Sequence, residues 1–282
     1  MVLASASYVA NDSLMKLATS GLPPYEVLLL RGVAATVLGV PLLLVLGYGR
    51  QIALVTDRRV LTRNVFELAA ILAYVVALAN MPIADVVALG QVTPLLVLLG
   101  ASLLFGERVG ALRTILIGLG FAGALMVAQP TPAGISAFAV LGLLNAVASA
   151  ARDLASRRVA AEIPGIVVAV SAVLAVLVGA GLAHLAWEDW VMPDARHLWL
   201  LLGAGFFLIF GHFFIFMAYR IGPARAVAPF YYSFSVWAVL AGAVVFSELP
   251  GALAACGIAV VILSGLAVVA LDSRSRRLAV TA

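Results

Sequence analysis

Two acid–base pairs stand inside long apolar runs of this chain. Asp12 and Lys16 are four residues apart in one run, and Asp153 and Arg157 in another. A charge at bilayer depth costs about 2.5 kcal/mol or more, so residues of this kind are candidates for function by default. Around them, Tyr8, Asn11, Asp12 and Lys16 recur at i, i+3, i+4 and i+8, and Asn145, Ser149, Arg152, Asp153, Ser156 and Arg157 recur similarly. Each set falls on one face of a helix. In one reading the two faces meet along a central pathway and their charges form opposite gates. In the other, each pair neutralises itself near a helix end.

Arg31, seven residues beyond Pro24 and near Glu26, has three readings. It pairs with a carboxylate such as Asp12, binds a solute carboxylate, or snorkels to the interface. Gln91, Thr93 and Pro94 fall near the middle of one apolar run, and Tyr231, Tyr232, Ser233, Ser235 and Trp237 near the middle of another. Tyr231 and Ser235 share a face; Tyr232 and Trp237 look elsewhere. Such groups offer hydrogen bonds and aromatic surface to an amphipathic or zwitterionic solute, and equally serve interhelical packing. His212, among Phe206, Phe207, Phe210, Phe213, Phe214 and Phe216, is a proton relay, a stacking partner or a hydrogen-bonded packing residue. Tyr74 and Glu67 are further pathway candidates, with Glu67 alternatively at the interface. The lone Cys256 excludes an intramolecular disulfide and a cysteine-based zinc site, and three scattered histidines make a poor metal centre, so no metal or cofactor is expected.

The elements that must position these groups are helices crossing a membrane. Hydrophobic residues make up 65% of the chain and charged residues 11%, with mean hydropathy +1.17. Soluble domains carry roughly 25% charged residues. In lipid each span must satisfy its own backbone, and long continuous runs rather than short alternating ones select helices over a barrel. The runs predict ten transmembrane spans: 2–20, 24–46, 64–80, 83–105, 109–128, 134–158, 163–186, 197–219, 224–246 and 251–271. The first is the least hydrophobic, and Asn11, Asp12 and Lys16 interrupt it too early for a signal peptide. Prolines 23, 24, 82, 130, 132, 164, 193, 223 and 250 fall near span ends, while Pro41, Pro94 and Pro229 lie inside and are expected to kink.

With ten spans, the termini and alternate loops share one side. That side holds fourteen arginines, at 50, 58, 59, 63, 108, 113, 152, 157, 158, 220, 225, 274, 276 and 277, while the other clearly holds only Arg196. Both termini are therefore expected in the cytoplasm. The same charge explains the pI of 9.6 without nucleic acid.

The chain also repeats. Phe105-Gly-Glu107-Arg-Val-Gly110-Ala-Leu112 and Phe246-Ser-Glu248-Leu-Pro-Gly251-Ala-Leu253 share Phe, Glu, Gly, Ala and Leu in register. From 107 to 248 is 141 residues, half of the 282. The same offset relates Pro82 to Pro223, Pro23 to Pro164, Asp12 to Asp153 and Lys16 to Arg157. The units are 1–141 and 142–282. Five spans per unit, an odd number, predict two copies inverted through the bilayer, a construction of secondary transporters that alternate access to a midplane site. Glu107 and Glu248 precede the next helices, where a carboxylate complements an N-terminus. Gly118, Gly120, Gly123, Gly257, Ser264 and Gly265 allow close helix approach, within one protomer or in a dimer, so monomer and homodimer both stay open.

These features resemble the drug/metabolite transporter superfamily, specifically its EamA-type members. The resemblance rests on the duplicated five-helix unit, the Pro-x(n)-Phe-x-Glu-x-x-Gly-Ala-Leu junctions, Asn11-Asp12-x-x-x-Lys16, Pro23/Pro24 and Arg31. It implies an all-α integral membrane protein of ten helices in a bacterial inner membrane, moving a small organic solute. Export of an amino acid or related amphipathic solute is the first expectation; import of riboflavin or an S-adenosylmethionine-like metabolite is the second. Aromatic amino-acid exporters carry Trp-Pro where this chain has Thr93-Pro94, which argues against that branch. Proton coupling through Asp12 or Asp153 and facilitated diffusion are equally compatible with the sequence. No Walker loop is present for ATP, and no hydrolase motif for a membrane enzyme; a scaffold or channel is the remaining alternative.

Overall fold

The computed structural model describes residues 1–105, 110–129, 135–160, 162–221 and 227–281. Within them the chain is helical and contains no strand. In order come α1 (Val2–Ala18), α2 (Pro24–Val45), a 3-10 segment (Gly49–Thr56), α3 (Arg58–Asn80), α4 (Ile83–Gly90), α5 (Thr93–Phe105), α6 (Ala111–Ala128), α7 (Ala137–Ser156), α8 (Gly165–Trp187) and α9 (Ala195–Ile221). A second 3-10 segment (Ala228–Tyr232), α10 (Ser233–Val245) and α11 (Ala252–Thr281) complete it. Among the described residues eight helical stretches are long and apolar enough to cross a membrane, with Ile83–Leu104 counted as one, and Phe230–Val245 is a shorter apolar helix.

Proline and carboxylate punctuation sets the starts of α2, α3, α4 and α8. Pro23, Pro82 and Pro164 occupy the N-cap positions of α2, α4 and α8 with ψ of 146°, 136° and 140°. A proline there loses no helical hydrogen bond, because the first N–H groups of a helix have no partner within it. α3 begins at Arg58, six residues before the predicted 64, because Asp57 accepts from the N–H groups of Arg59 (2.8 Å) and Val60 (3.3 Å). The predicted fourth span breaks after Gly90, before Thr93-Pro94. Pro94 has no N–H to donate and its ring excludes the carbonyl four residues back. The ninth span breaks differently, with a 3-10 turn over Ala228–Tyr232 that contains Pro229. Pro41 sits inside α2, which continues through it.

Packing pairs the helices α1 with α9, α3 with α7, α2 with α8, and α6 with α11. A shift of 141 residues exchanges the first two pairs and returns each of the last two to itself. Small residues make the closest seams. A Cβ on Gly257 would lie 2.6 Å from the carbonyl oxygen of Gly123, so α6 and α11 meet backbone to backbone. That seam is used within one protomer. One apolar cluster (Met15, Leu28, Leu78, Ile83, Leu201) joins α1, α2, α3, α4 and α9, and another (Leu43, Ile166, Val167) packs against the first 3-10 segment. Leu103, Leu185, Val244 and Trp199 point outward, as lipid-facing positions do.

Candidate functional site

Side-chain contacts separate two ends of the bundle. At one, Lys16 closes the last turn of α1. Its Nζ donates to the carbonyl of Met81 (2.6 Å) and to Glu248 Oε2 (3.1 Å), and stands 5.0 Å from the centre of the Phe246 ring. Glu248 is held by a tight turn: its N–H donates to the carbonyl of Gly242 (2.8 Å), with Ser247 at φ 54°. The expected Asp12–Lys16 pair does not form. Both residues share a face of α1, but Lys16 lies where the α10–α11 junction supplies a carboxylate, and Asp12 is already satisfied elsewhere. Nearby, Glu188 caps α2, accepting from the N–H groups of Tyr25 (2.9 Å) and Glu26 (3.0 Å), while His184 Nδ1 sits 3.1 Å from the same carboxylate. Buried Glu26 in turn accepts from the N–H of Val191 (3.0 Å).

The other end is a network centred on Glu67. Arg63 reaches it at 2.6 Å from the preceding turn of α3, and Arg152 of α7 at 3.4 Å. Arg152 also donates to Asp153 through Nε at 2.8 Å, so the expected gate residue Asp153 is contacted by its neighbour in sequence. Arg63 continues to Asn64 (2.9 Å), whose amide donates to Ser171 of α8 (3.0 Å). Four charges that sum to zero thus tie α3 to α7, and the neutral Asn64–Ser171 bond adds α8. By the repeat, Lys16 corresponds to Arg157 and Glu248 to Glu107. Glu107 lies outside the described residues.

Between the ends runs a string of polar side chains. Asp12 accepts from the Tyr74 hydroxyl (2.7 Å) and the Asn11 amide (2.8 Å). Arg31, 4% exposed, donates through one terminal nitrogen to the Met15 sulfur at 3.4 Å. It lies within electrostatic range of Asp12, Tyr74 and Glu67. Tyr8 lies within range of Asp12, Tyr231, Glu67 and Arg152, and its ring meets His212 edge-on at 5.5 Å. His212 Nδ1 is 2.8 Å from the carbonyl of Leu208. A carbonyl can only accept, so Nδ1 carries a proton. Asn11, Asp12, Arg31 and Tyr74 are the buried part of this string, Tyr8 and His212 are half-buried, and Tyr231 is exposed.

The other sequence candidates sit apart from it. Thr93 donates to the carbonyl of Ala146 (3.3 Å) across the α5–α7 seam, and Ser149 to Asn145 Oδ1 (3.4 Å) within α7 itself. Gln91 at the helix break and Ser235 in α10 are buried with Gln91 Oε1 and Ser235 Oγ unpartnered. Pro94 acts through the break it causes. Phe206, Phe207, Phe210, Phe213 and Phe214 of α9 contact one another ring to ring, with Phe206 and Phe210 reaching the outer surface, while the side chain of Phe216 lies outside the described ones. Among the described residues no three of His, Cys, Asp and Glu are grouped to hold a metal. The sequence underrated Glu67, Arg63 and Glu248. For Glu67 the signal existed, as an arginine four residues earlier on the same helix.

Comparison with known proteins places this architecture. The EamA-like transporter family profile matches residues 1–129. The pseudopaline exporter CntI of Pseudomonas aeruginosa is 30% identical over 94% of this chain and 93% of its own length. The chain belongs to the EamA-like transporter family. Among other members, a riboflavin transporter of Rhizobium johnstonii is 32% identical over 78% of this chain and 72% of its own, and one of Vibrio cholerae is 29% identical over 94% and 89%. A solved crystal structure superposes with a TM-score of 0.65 at 22% identity, covering 96% of this chain and 97% of the other, which shows a shared fold. This EamA-like protein is thus a multi-pass membrane protein of a transporter family.

Proposed function

We propose that this EamA-like protein is a secondary transporter that moves a small organic metabolite across a bacterial inner membrane by alternating access. One observation carries the reading: a set of polar side chains, with Asn11, Asp12, Arg31 and Tyr74 buried, lies inside an apolar bundle between an ion pair at one side and a charge network at the other. Lys16–Glu248 and Arg63–Glu67–Arg152 are then the opposite gates, and Tyr8, Asp12, Arg31, Tyr74, His212 and Tyr231 line the path. A buried charge held by its partner releases at low cost only where water or solute replaces that partner, so each network suits a closure that opens in turn.

The proposed architecture is ten membrane-crossing elements in two inverted five-helix units, 1–141 and 142–282. The exchange of helix partners under the 141-residue offset supports it, as do the two discontinuous elements at α4–α5 and at Ala228–Tyr232 with α10. Broken helices at the midplane leave backbone groups for a solute. The arginine distribution supports cytoplasmic termini, with the Glu67 network facing the cytoplasm and Lys16–Glu248 the outside. Export of an amino-acid-like or related amphipathic solute is the leading assignment, supported by similarity to the pseudopaline exporter. Riboflavin uptake is the second reading, supported by the riboflavin transporters. Counterflow in proteoliposomes loaded with labelled riboflavin or amino acids tests both. Exchange of one solute and not the other assigns the substrate class; voltage-driven ion current, or no exchange of any solute, overturns the transporter reading.

A further inference from the structure

Arg31 is a cation buried without an adequate acceptor. The residue is 4% exposed, its only hydrogen bond among the described residues goes to a thioether 3.4 Å away, and its Nε has no partner there. A guanidinium carries five donors in a planar fork, and sulfur is a weak acceptor. Asp12 is close enough to attract it, yet both Asp12 oxygens are taken by neutral donors, Oδ1 by Asn11 and Oδ2 by Tyr74. Asn11 leans on the same Met15 sulfur (3.6 Å) and leaves its Oδ1 buried and unpartnered. Around one methionine the chain therefore holds an unsatisfied cationic fork and an unsatisfied neutral acceptor. A site left short in this way at membrane depth is costly unless a ligand completes it.

We propose that Arg31 is the anion-binding residue of the pathway, taking the carboxylate or phosphate of the transported solute, with Asn11 Oδ1 accepting from an adjacent N–H or ammonium. The assignment rests on the transporter reading above and deepens it by naming the chemistry of the substrate. Two oxygens of a carboxylate or of a phosphate match the guanidinium fork with two parallel hydrogen bonds, which a single sulfur atom cannot accept. Met15 then acts as a soft placeholder that the solute displaces. Arg31 is too buried for lipid phosphate to reach it in this state.

The test is thermal unfolding of the purified full chain with charge-matched probes. Nicotinate is set against nicotinamide, L-phenylalanine against L-phenylalaninamide, and riboflavin 5′-phosphate against riboflavin. A ligand that binds only the folded form raises the unfolding temperature. The expected result is stabilisation by at least one acid and not by its neutral or amidated partner. The carboxylate pairs and the phosphate pair distinguish the two oxyanions. Arg31→Gln abolishes the preference, and Arg31→Lys, which keeps charge without the fork, weakens apparent affinity about tenfold or more. If Arg31→Gln does not purify folded, Arg31→Lys carries the test. Equal stabilisation within every pair, an acid preference unchanged in the variants, or no stabilisation by any probe overturns the assignment. Acid-selective binding without flux in proteoliposomes overturns transport alone and leaves the anion site standing.

Discussion

Removing the carboxylate of Glu248 should open the Lys16 end. Two unit charges at 3.1 Å attract by about 5 kcal/mol at an effective dielectric of about 20. Most of that is cancelled, because Glu248 is 36% exposed and the ammonium must be stripped of water to reach it. Charge-assisted hydrogen bonds and partly exposed pairs leave about 1–2 kcal/mol. Glu248→Gln should therefore shift the closed-to-open ratio at this end about 5–30-fold. Met15 is fully buried one residue before Lys16, which makes it a reporter. In a Cys256→Ala background, Met15→Cys is labelled in intact cells by a membrane-impermeant thiol reagent, with and without Glu248→Gln. A faster labelling rate of that order is expected, and Lys16→Met should add little to it because both substitutions cut one pair. A rate changed by less than twofold in folded protein would refute the gate: the pair would then only tie the α10–α11 junction to α1.

Four further outcomes follow from the geometry. Glu67→Gln leaves Arg63 without its carboxylate and Arg152 with Asp153 alone, and should lower stability by about 3 kcal/mol, read as a fall in detergent melting temperature with loss of solute exchange. Gly257→Ala pushes a methyl group onto the Gly123 carbonyl and should destabilise by about 2 kcal/mol, whereas Gly118→Ala meets nothing within 4 Å and should melt like the parent. Ser247→Gly relieves a left-handed residue and should stabilise by about 1 kcal/mol; its sequence counterpart in the first repeat is Gly106. Glu188→Ala removes the cap of α2 at a cost of about 1 kcal/mol, visible as faster amide exchange at Tyr25 and Glu26 without a change in α8.

How much of this was legible beforehand differs between fold and site. Hydropathy alone marked the eight long apolar stretches found among the described residues, because a bilayer demands about 20 apolar residues whatever their partners. Prolines 23, 82 and 164 announced helix starts, since proline tolerates that place on local grounds. Periodicity put Asp12 and Lys16 on one face correctly. It could not say that Lys16 would find Glu248, 232 residues away, because a charge chooses among whatever carboxylates packing delivers. The start of α3 was missed because an Asp cap outweighed a hydropathy edge.

The sequence by itself determined a membrane-embedded helical chain, a set of motifs that recur 141 residues apart and a short set of charged residues that do not belong in lipid. These are properties of composition and spacing, and they hold for any arrangement of the helices. Only the tertiary structure decided which charges meet. It gave Asp12 to Tyr74, Glu67 to two arginines on different helices, and left Arg31 facing a sulfur atom. The reason is one of range: helical periodicity fixes neighbours within a turn or two, whereas ion pairs and hydrogen bonds are settled at a few ångströms by helix packing.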